Sequence, residues 1–403
     1  MRPLLFFILF VACSQNSVLA QRVGIIEVRA GNHASHPAPL RAQLPKPLKG
    51  SQQWLLVDLN NGNKIPAQLL DSITLIFIPT DSIPAGSTVR YEIRKANPTA
   101  GEPPVTIRKE KGGLLVSVGT RPVFFYHILE SLPPADSPAY YSRSGFIHPL
   151  YSPNGKILTD DFPLGHIHQH AIFMAWVNTT FRNEFMDFWN QHLQKGTVEH
   201  VDVLAIREGP VCAQLTVSLR YKSFKFGEVL KEIWRITIYP YSEHFLFDLE
   251  SEQVNTTNDT LFLNQYHYGG LAFRGSREWN PDDKFHFQKN WHILTSEGIR
   301  DTLANHTKAR WVDAWGEIDG GIVGTDVLAH PSDYRYPQAI RVHPTMPYWC
   351  YAPVIDGAFW LAPGEPYRSR YRYFVHRGAP DISVIEKLND DWVNPPSVRV
   401  LIP

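Results

Sequence analysis

The sequence carries no net charge, because its 39 lysine and arginine residues balance its 39 aspartate and glutamate residues. Without an excess of positive charge, a protein lacks the electrostatic attraction that draws it to nucleic acid or anionic lipid. Beyond its N-terminal residues the sequence also lacks a run of roughly 20 apolar residues, the length that a membrane helix requires. We therefore expect no nucleic-acid partner and no membrane span.

Cysteine is scarce, with only Cys13, Cys212 and Cys350 in 403 residues. No Cys-x-x-Cys or His-Glu-x-x-His pattern is present, so the sequence lacks these familiar metal-binding signatures. Cys212 and Cys350 can either form one disulfide or remain as buried free thiols, and the sequence leaves both possibilities open.

The first twenty residues have the layout of a secretory signal peptide. Met1-Arg2 is followed by an apolar run from Leu4 to Ala12, and small residues at Val18-Leu19-Ala20 precede Gln21. This order of a basic start, an apolar stretch and a small-residue site is typical of cleaved leaders. We predict a signal peptide over residues 1–20 and export to the periplasm or the extracellular space. Lipid anchoring through Cys13 is the alternative.

Long amphipathic helices are not evident, whereas alternating apolar and polar residues recur along the chain. Clear examples are Leu215, Val217 and Leu219, and Trp234, Ile236 and Ile238. A period of two is the pattern of half-buried β-strands. The 26 glycines and 32 prolines break helices and supply turns. Together these features predict an all-β protein of the sandwich type.

The mature chain is longer than one compact core usually accommodates, which predicts two domains. Residues 96–104 are rich in proline and other turn formers and poor in residues that pack, so we interpret them as a linker. Residues 21–95 then form a small Ig-like or fibronectin-like N-terminal sandwich. Residues 105–403 form a much larger β-sandwich.

The most distinctive segment contains three alternating histidines, His166, His168 and His170. If a strand starts at His166, the three imidazoles lie on one face of the sheet, because side chains alternate along a strand. Imidazole exchanges protons near neutral pH and forms hydrogen bonds through both ring nitrogens. The segment therefore predicts a catalytic centre formed by these three rings.

Two other interpretations of the same histidines stay open. The rings can belong to a polar surface face without a special role. They can also bind a divalent metal, because three histidines are a common zinc-ligand set. No other cofactor is predicted.

Several polar and aromatic groups are candidates for contacts with a sugar substrate. Aromatic rings can stack on sugar faces, and carboxylate, imidazole and guanidinium groups bind hydroxyls. The predicted substrate-binding residues are Asp161, Asp187, Trp189, His267, Arg274, His330 and His343.

Several blocks of the chain are shared with one known family. The most specific block runs from Asp161-Phe162-Pro163 through His166-Ile167-His168-Gln169-His170 to Phe185-Met186-Asp187-Phe188-Trp189-Asn190. The later blocks are Gly269-Gly270-Leu271-Ala272-Phe273-Arg274, Trp311-Val312-Asp313 and His330-Pro331-Ser332. These blocks resemble the bacterial PmoA-like family, a domain of unknown function named methane oxygenase PmoA. Gly165 replaces an expected Asp and Ala171 an expected Gly, so any role of that Asp is not carried over.

The family name implies methane oxidation, but membrane oxygenases of that kind need spanning helices, which this sequence lacks. The C-terminal region is similar to the galactose-mutarotase supersandwich. Its late strand often carries a Pro-Gly-Glu turn, as in Leu361-Ala362-Pro363-Gly364-Glu365. This resemblance implies a galactose-mutarotase-like β-supersandwich and a carbohydrate ligand, as an analogy between folds.

The leading hypothesis is an exported enzyme that acts on a glycan or modified sugar by histidine acid/base chemistry. Epimerisation, β-elimination and glycoside cleavage each need a proton donor and a proton acceptor, and the sequence does not select among them. The alternatives are a non-catalytic carbohydrate-binding protein and a three-histidine metal enzyme.

Overall fold

The structure, a computed structural model, describes residues 24–48, 53–96 and 101–401 of the 403-residue chain. The predicted signal peptide with Cys13 lies outside the described residues, as do residues 97–100 of the predicted linker. The described part forms 28 β-strands, five short 3-10 helices and one α-helix. The all-β fold class predicted from the alternating pattern is therefore confirmed.

The front of the chain forms a small sheet. Its strands are β1 (Gly24–Arg29), β2 (Leu40–Gln43), β3 (Gln53–Asp58), β4 (Lys64–Leu69), β5 (Thr74–Phe77) and β6 (Thr88–Lys95). In β1 the residues alternate, so that Ile26 and Val28 are fully buried while Glu27 and Arg29 keep contact with solvent. The buried set forms a small hydrophobic core of its own.

The rest of the chain forms longer strands and one helix. The first group is β7 (Val105–Glu110), β8 (Gly113–Val118), β9 (Arg121–His127), β10 (Ile147–Leu150), β11 (Ile172–Ala175), β12 (Thr179–Phe181), β13 (Glu184–Met186), β14 (Gly196–Glu208), β15 (Ala213–Ser223), β16 (Gly227–Tyr239) and β17 (Phe245–Asn255). The second group is β18 (Leu261–Leu263), β19 (Gly270–Arg274), β20 (His292–Thr295), β21 (Lys308–Ala309), β22 (Trp311–Ile318), β23 (Gly321–Ala329), β24 (Gln338–Val342), β25 (Tyr348–Tyr351), β26 (Phe359–Leu361), β27 (Pro366–Arg377), α1 (Ile382–Val393) and β28 (Ser397–Leu401).

Two large sheets enclose the main core. One has nine strands in the order β21-β24-β25-β19-β11-β10-β9-β8-β7, and the other has eight in the order β14-β15-β16-β17-β27-β23-β22-β20. Aromatic rings pack between their inner faces. The ring centroids of Phe124 in β9 and Phe247 in β17 are 5.3 Å apart, and those of Tyr126 and Trp234 are 6.4 Å apart. A smaller sheet, β13-β12-β18-β26, joins the same core.

The single α-helix of the described residues packs on a second cluster, away from the main core. Asp381 caps α1 by accepting hydrogen bonds from the backbone N–H groups of Ser383 and Val384. Ile385 of α1 is buried in a cluster that also contains Leu328 of the eight-stranded sheet and Ile76 of the front sheet. This cluster joins the front sheet to the larger sandwich.

The last strand returns to the front sheet. The seven strands there follow the order β2-β5-β4-β3-β6-β1-β28, and β28 pairs antiparallel with β1. β28 also lies beside β2, so the sheet curls until its two edges approach each other. The division at residues 96–104 stays a prediction, but residues 397–401 belong to the front sheet and not to the large sandwich as we expected.

Both cysteines within the described residues are free and buried. Burial raises the pKa of the Cys212 thiol to about 12 and that of Cys350 to about 11. Of the two possibilities that the sequence left open, the structure has the free thiols and not the disulfide.

Candidate active site: a histidine-lined cavity

The histidine-rich segment forms a turn and not a strand. The backbone N–H of His166 donates to the carbonyl of Pro163 over 3.1 Å, and the N–H of Gln169 donates to the carbonyl of His166 over 3.0 Å. Gly165 has a φ of +85°, which favours glycine, and β11 begins only at Ile172. The prediction that three imidazoles share one face of a strand is therefore wrong. Proline and glycine in the segment favour tight turns over the extended backbone that three alternating residues suggested.

His170 is sealed inside the protein. Its side chain has no exposed surface, its Nδ1 lies 2.7 Å from Oδ1 of Asp161, and its Nε2 lies 2.9 Å from Oε1 of Gln191. The amide nitrogen of Gln191 donates to the Ser142 carbonyl, which leaves its oxygen facing the ring. Because both neighbours are acceptors, we infer that both ring nitrogens donate and that the ring forms a buried ion pair with Asp161. His170 cannot contact a substrate, contrary to the prediction.

Asp161 is the counter-ion of His170. Burial alone would raise the pKa of Asp161, but the hydrogen bond from His170 and the charge of that ring hold it below its usual range. The other carboxylate oxygen accepts from the Ser131 hydroxyl over 2.9 Å. A β-bridge also joins Asp161 to His170 and closes the base of the turn. Asp161 therefore positions the histidine turn and does not contact a substrate as we expected.

His166 and His168 line a cavity of about 340 Å³ together with three further histidines, His192, His267 and His343. The ring centroids of His166 and His168 are 5.6 Å apart. His343 lies 5.2 Å from His166, and His192 lies 5.8 Å from His168. Loops from distant parts of the chain thus bring five imidazoles to one space.

The remaining wall is aromatic and polar. It consists of Gln169, Trp189, Asn190, Tyr266, Tyr268, Arg341 and Tyr348. The Tyr268 hydroxyl donates to the side-chain oxygen of Asn190 over 3.1 Å, and the Trp189 ring lies 5.2 Å from that of Tyr268. Of the described residues that line the cavity, none is an aspartate or glutamate.

The nine-stranded sheet explains why these groups meet. β11 and β25 flank β19 antiparallel, and β24 pairs with β25, so the starts of β11 and β25 and the ends of β19 and β24 lie at one edge. The histidine turn precedes β11, His343 follows β24, and Tyr348 begins β25. Residues far apart in sequence therefore converge at this edge of the sheet.

Four of the five cavity imidazoles are kept uncharged at neutral pH. Burial lowers the pKa of His168 to about 3, and the neighbouring rings, His166 foremost, act in the same direction. Burial, followed by the charges of His166 and Arg341, lowers the pKa of His343 to about 4. Burial also lowers the pKa values of His166 and His267. Neutral imidazoles are able to accept protons.

Arg274 lies behind the cavity wall. It ends β19 with no exposed surface, and its Nη1 donates to Oε1 of Gln169 over 3.2 Å. Its Nε and Nη2 have no hydrogen-bond partner among the described residues. Burial lowers the pKa of Arg274 to about 10. Arg274 orients Gln169 and contributes charge, but it does not line the cavity as predicted.

Asp187 also has a supporting position. It is 1% exposed and accepts hydrogen bonds from the backbone N–H groups of Trp189 and Asn190, over 2.8 and 2.7 Å. A second oxygen accepts from the Asn190 side chain over 2.9 Å. Asp187 therefore fixes the turn that presents Trp189 and Asn190, and the predicted contact with a sugar hydroxyl is wrong.

His330 lies in a different cavity, which is also lined by Arg41, Asp248, Arg370 and Trp392. Its Nδ1 is 2.8 Å from the Ser332 hydroxyl. The predicted convergence of His330 with the histidine turn does not occur. The structure does bring Trp189, His267 and His343 into the cavity with His166 and His168.

His192 and Tyr348 are cavity residues that the sequence analysis missed. His192 lies in the short 3-10 helix Gln191–Leu193, which directly follows the block Phe185-Met186-Asp187-Phe188-Trp189-Asn190. Its position next to that block was the only indication in the sequence that it belongs to the site. Tyr348 is the first residue of β25, whose sequence Tyr-Trp-Cys-Tyr is typical of a buried core strand. Within the described ranges, no group of three or more His, Cys, Asp or Glu residues is placed to hold a metal ion.

Residues 113–390 match the model of a family described as a family of unknown function, DUF6807. The fold and cavity define an all-β sandwich protein with a histidine-lined site, and the chain belongs to this family. We predicted that the chain contains a domain of unknown function, and the family description agrees with this. The resemblance to the PmoA-like family stays a prediction. No curated protein matches the chain.

Three solved structures illustrate the likeness in fold. An α-mannosidase from Enterococcus faecalis V583 is 9% identical with a TM-score of 0.42, covering 94% of this chain and 46% of that one. The GH36 α-galactosidase AgaA from Geobacillus stearothermophilus is 11% identical with a TM-score of 0.32, covering 70% and 40%. A galactose mutarotase related enzyme from Lactobacillus acidophilus is 10% identical with a TM-score of 0.29, covering 68% and 97%. The chain spans less than half the length of the first two, and the similarity concerns the fold alone.

Proposed function

We propose that the histidine-lined cavity binds a sugar and catalyses proton transfer at one of its carbons. The observation that carries this proposal is the composition of the cavity wall: five imidazoles and four aromatic rings around about 340 Å³. This volume lies within the range of small-molecule sites. The half-buried rings of Tyr266 and Tyr268 offer apolar faces for stacking, and the imidazoles offer donors and acceptors for hydroxyls.

The proposed chemistry uses an uncharged imidazole as the base. A neutral ring such as that of the half-buried His166 accepts a proton from a sugar carbon, and the electron pair left on that carbon moves into an adjacent acyl group. A second group returns a proton to the carbon in epimerisation. In β-elimination the pair instead forms a C=C bond, the neighbouring C–O bond breaks, and the leaving oxygen takes a proton.

Glycoside cleavage by the usual pair of carboxylic acids has no support in this cavity. That reaction needs one carboxyl group as acid and a second as nucleophile or base. The described residues that line the cavity include neither aspartate nor glutamate, and Asp161 and Asp187 are committed to internal partners. Epimerisation and β-elimination are therefore the two reactions that we propose.

Non-catalytic carbohydrate binding is the second candidate, favoured by a row of aromatic residues on the small sheet. Phe185 pairs with Thr180, Thr180 with Phe262, and Phe262 with Trp360 across neighbouring strands. The three aromatic side chains are 43%, 48% and 64% exposed in that order. Such a row offers stacking surfaces for successive sugar rings.

The site of action that we propose is outside the cytoplasm, as the layout of residues 1–20 predicts. The described residues contain no helix with the length and apolar character needed to cross a bilayer. Fractionation of cells that express the full chain, followed by N-terminal sequencing, tests the predicted cleavage after Ala20.

The decisive experiment exposes the protein to a panel of neutral and acidic sugars in D2O and follows their masses. Epimerisation adds one deuterium to the sugar, and β-elimination gives an unsaturated product. We expect His166→Gln to lower the rate at least about 100-fold, the usual contribution of a general base. His286→Gln is the control, because His286 pairs with Asp283 outside the cavity. Binding to the panel without exchange or product would instead favour the second candidate.

A further inference from the structure

Arg341 places a cation in the cavity wall without an acidic partner. Its Nη1 donates to the neutral side-chain oxygen of Asn305 over 3.1 Å. No carboxylate lies within 4.0 Å of its guanidinium among residues 24–48, 53–96 and 101–401. A guanidinium has five N–H donors in a planar fork, so most of the donors of Arg341 remain available to a ligand.

His343 adds an uncharged donor next to Arg341. The backbone N–H groups of Met346 and Thr345 donate to its Nδ1 over 3.1 and 3.3 Å. Because Nδ1 accepts, the neutral ring carries its proton on Nε2. Arg341 and His343 are two residues apart at the end of β24 and both line the cavity. The pair therefore offers a guanidinium fork and an N–H group on the same wall.

The surrounding charges leave this wall electropositive. The cation of Arg274 acts on His166, His168 and His343 from behind the wall. The opposing carboxylate near His166 and His343 is that of Asp282, which is exposed and therefore screened by solvent. Asp160 is the other acid that acts on Arg274. Asp160 also lies 3.4 Å from Arg277, so its charge is shared between two cations.

We propose that the ligand of this cavity is a sugar acid whose carboxylate binds Arg341 and His343. This inference rests on the proposed function and names its substrate class. A neutral sugar would cover the Arg341 guanidinium without supplying a counter-charge, whereas a carboxylate forms paired charge-assisted hydrogen bonds with it. The geometry thus favours a uronate over the corresponding neutral hexose.

A carboxylate also completes the proton transfer. A carbon next to a carboxylate loses its proton to a neutral imidazole, and the C–H electron pair moves onto the carboxylate oxygens. Arg341 stabilises the added negative charge there. Return of a proton to the opposite face of that carbon gives the epimer, without oxidant, reductant or further reactant. The reacting carbon needs a neighbouring group that accepts the C–H electron pair. Among anionic sugars, a carboxylate meets this need, whereas a sulfate or phosphate ester does not.

The test measures calorimetric binding of D-glucuronate and D-galacturonate against D-glucose and D-galactose, with glucose 6-sulfate and glucose 6-phosphate as other anions. We expect each uronate to bind at least about tenfold more tightly than its neutral parent and than either ester. Arg341→Gln should remove that preference, and Arg341→Lys should restore part of it. Arg368→Gln is the control, because the exposed Arg368 pairs with Glu252 away from the cavity.

The outcomes separate this inference from the proposed function. Equal affinities for uronates and neutral sugars, together with a deuterium exchange that is lost in His166→Gln, leave the proposed function standing and overturn the sugar acid. Tighter binding of either ester overturns the choice of a carboxylate. A uronate preference that survives Arg341→Gln overturns the role of Arg341. Binding of no sugar overturns both proposals.

Discussion

Replacing Asp161 by Asn should destabilise the fold by about 3 kcal/mol. The carboxylate is the counter-ion of His170, whose two ring nitrogens donate over 2.7 and 2.9 Å and whose side chain is fully buried. Asparagine keeps the shape and one acceptor but removes the charge, which leaves a buried imidazolium without a counter-ion. Breaking a buried pair from one side typically costs about 3–5 kcal/mol. We expect the lower end because the ring can lose a proton.

Urea unfolding of the purified protein, followed by tryptophan fluorescence, measures this loss of unfolding free energy. The matched control is Asp319→Asn, which removes a carboxylate from an exposed ion pair with Lys156 at 3.0 Å. Exposed pairs contribute less than about 1 kcal/mol, so the control should remain close to the parent protein. If Asp161→Asn loses no more than this control, the proposed cationic state of His170 is refuted.

Two further predictions concern stability. The pKa values of His148 and His168 are lowered to about 4 and about 3 by burial, so the unfolded chain binds protons that the folded chain excludes as the pH falls below about 6.5. His168→Gln removes this proton uptake, so its unfolding midpoint should rise relative to that of the parent protein as the pH falls from 7 to 4, and a constant difference between the two would contradict the pKa of His168. Gly270→Ala should lose at least about 2 kcal/mol in the same urea assay, because φ is +125° there and an added Cβ would collide with the Tyr351 carbonyl oxygen. Gly31→Ala, with nothing near its Cβ, should stay within about 0.5 kcal/mol and is the control.

The fold class was predictable because its signal is local. In β15 the alternating residues Leu215, Val217 and Leu219 are fully buried, as their period of two predicted. The histidine segment shows the limit of the same rule. Three alternating residues were too few to outweigh Pro163 and Gly165, whose backbone preferences favour turns.

The candidate site was predictable only in part because its residues come together through long-range pairing. His166 and His343 are far apart in sequence, and their 5.2 Å separation depends on the order β24-β25-β19-β11. Polar residues with internal partners look the same in sequence as residues that face a cavity. From the sequence we predicted that Asp187 and Arg274 bind the substrate. In the structure Asp187 accepts a hydrogen bond from the Trp189 backbone, and Arg274 donates one to the Gln169 side chain.

The return of β28 to β1 has a consequence for the order in which the protein folds. A ribosome makes the chain from its N-terminus, so β1 is synthesised long before the segment Ser397–Leu401 that covers its edge. Until then the backbone donors and acceptors of β1 on that side have no strand to pair with. Such an edge can recruit strands from other chains, and nascent proteins are exposed to this during synthesis. The front sheet is therefore begun early in synthesis and completed only when β28 has been made.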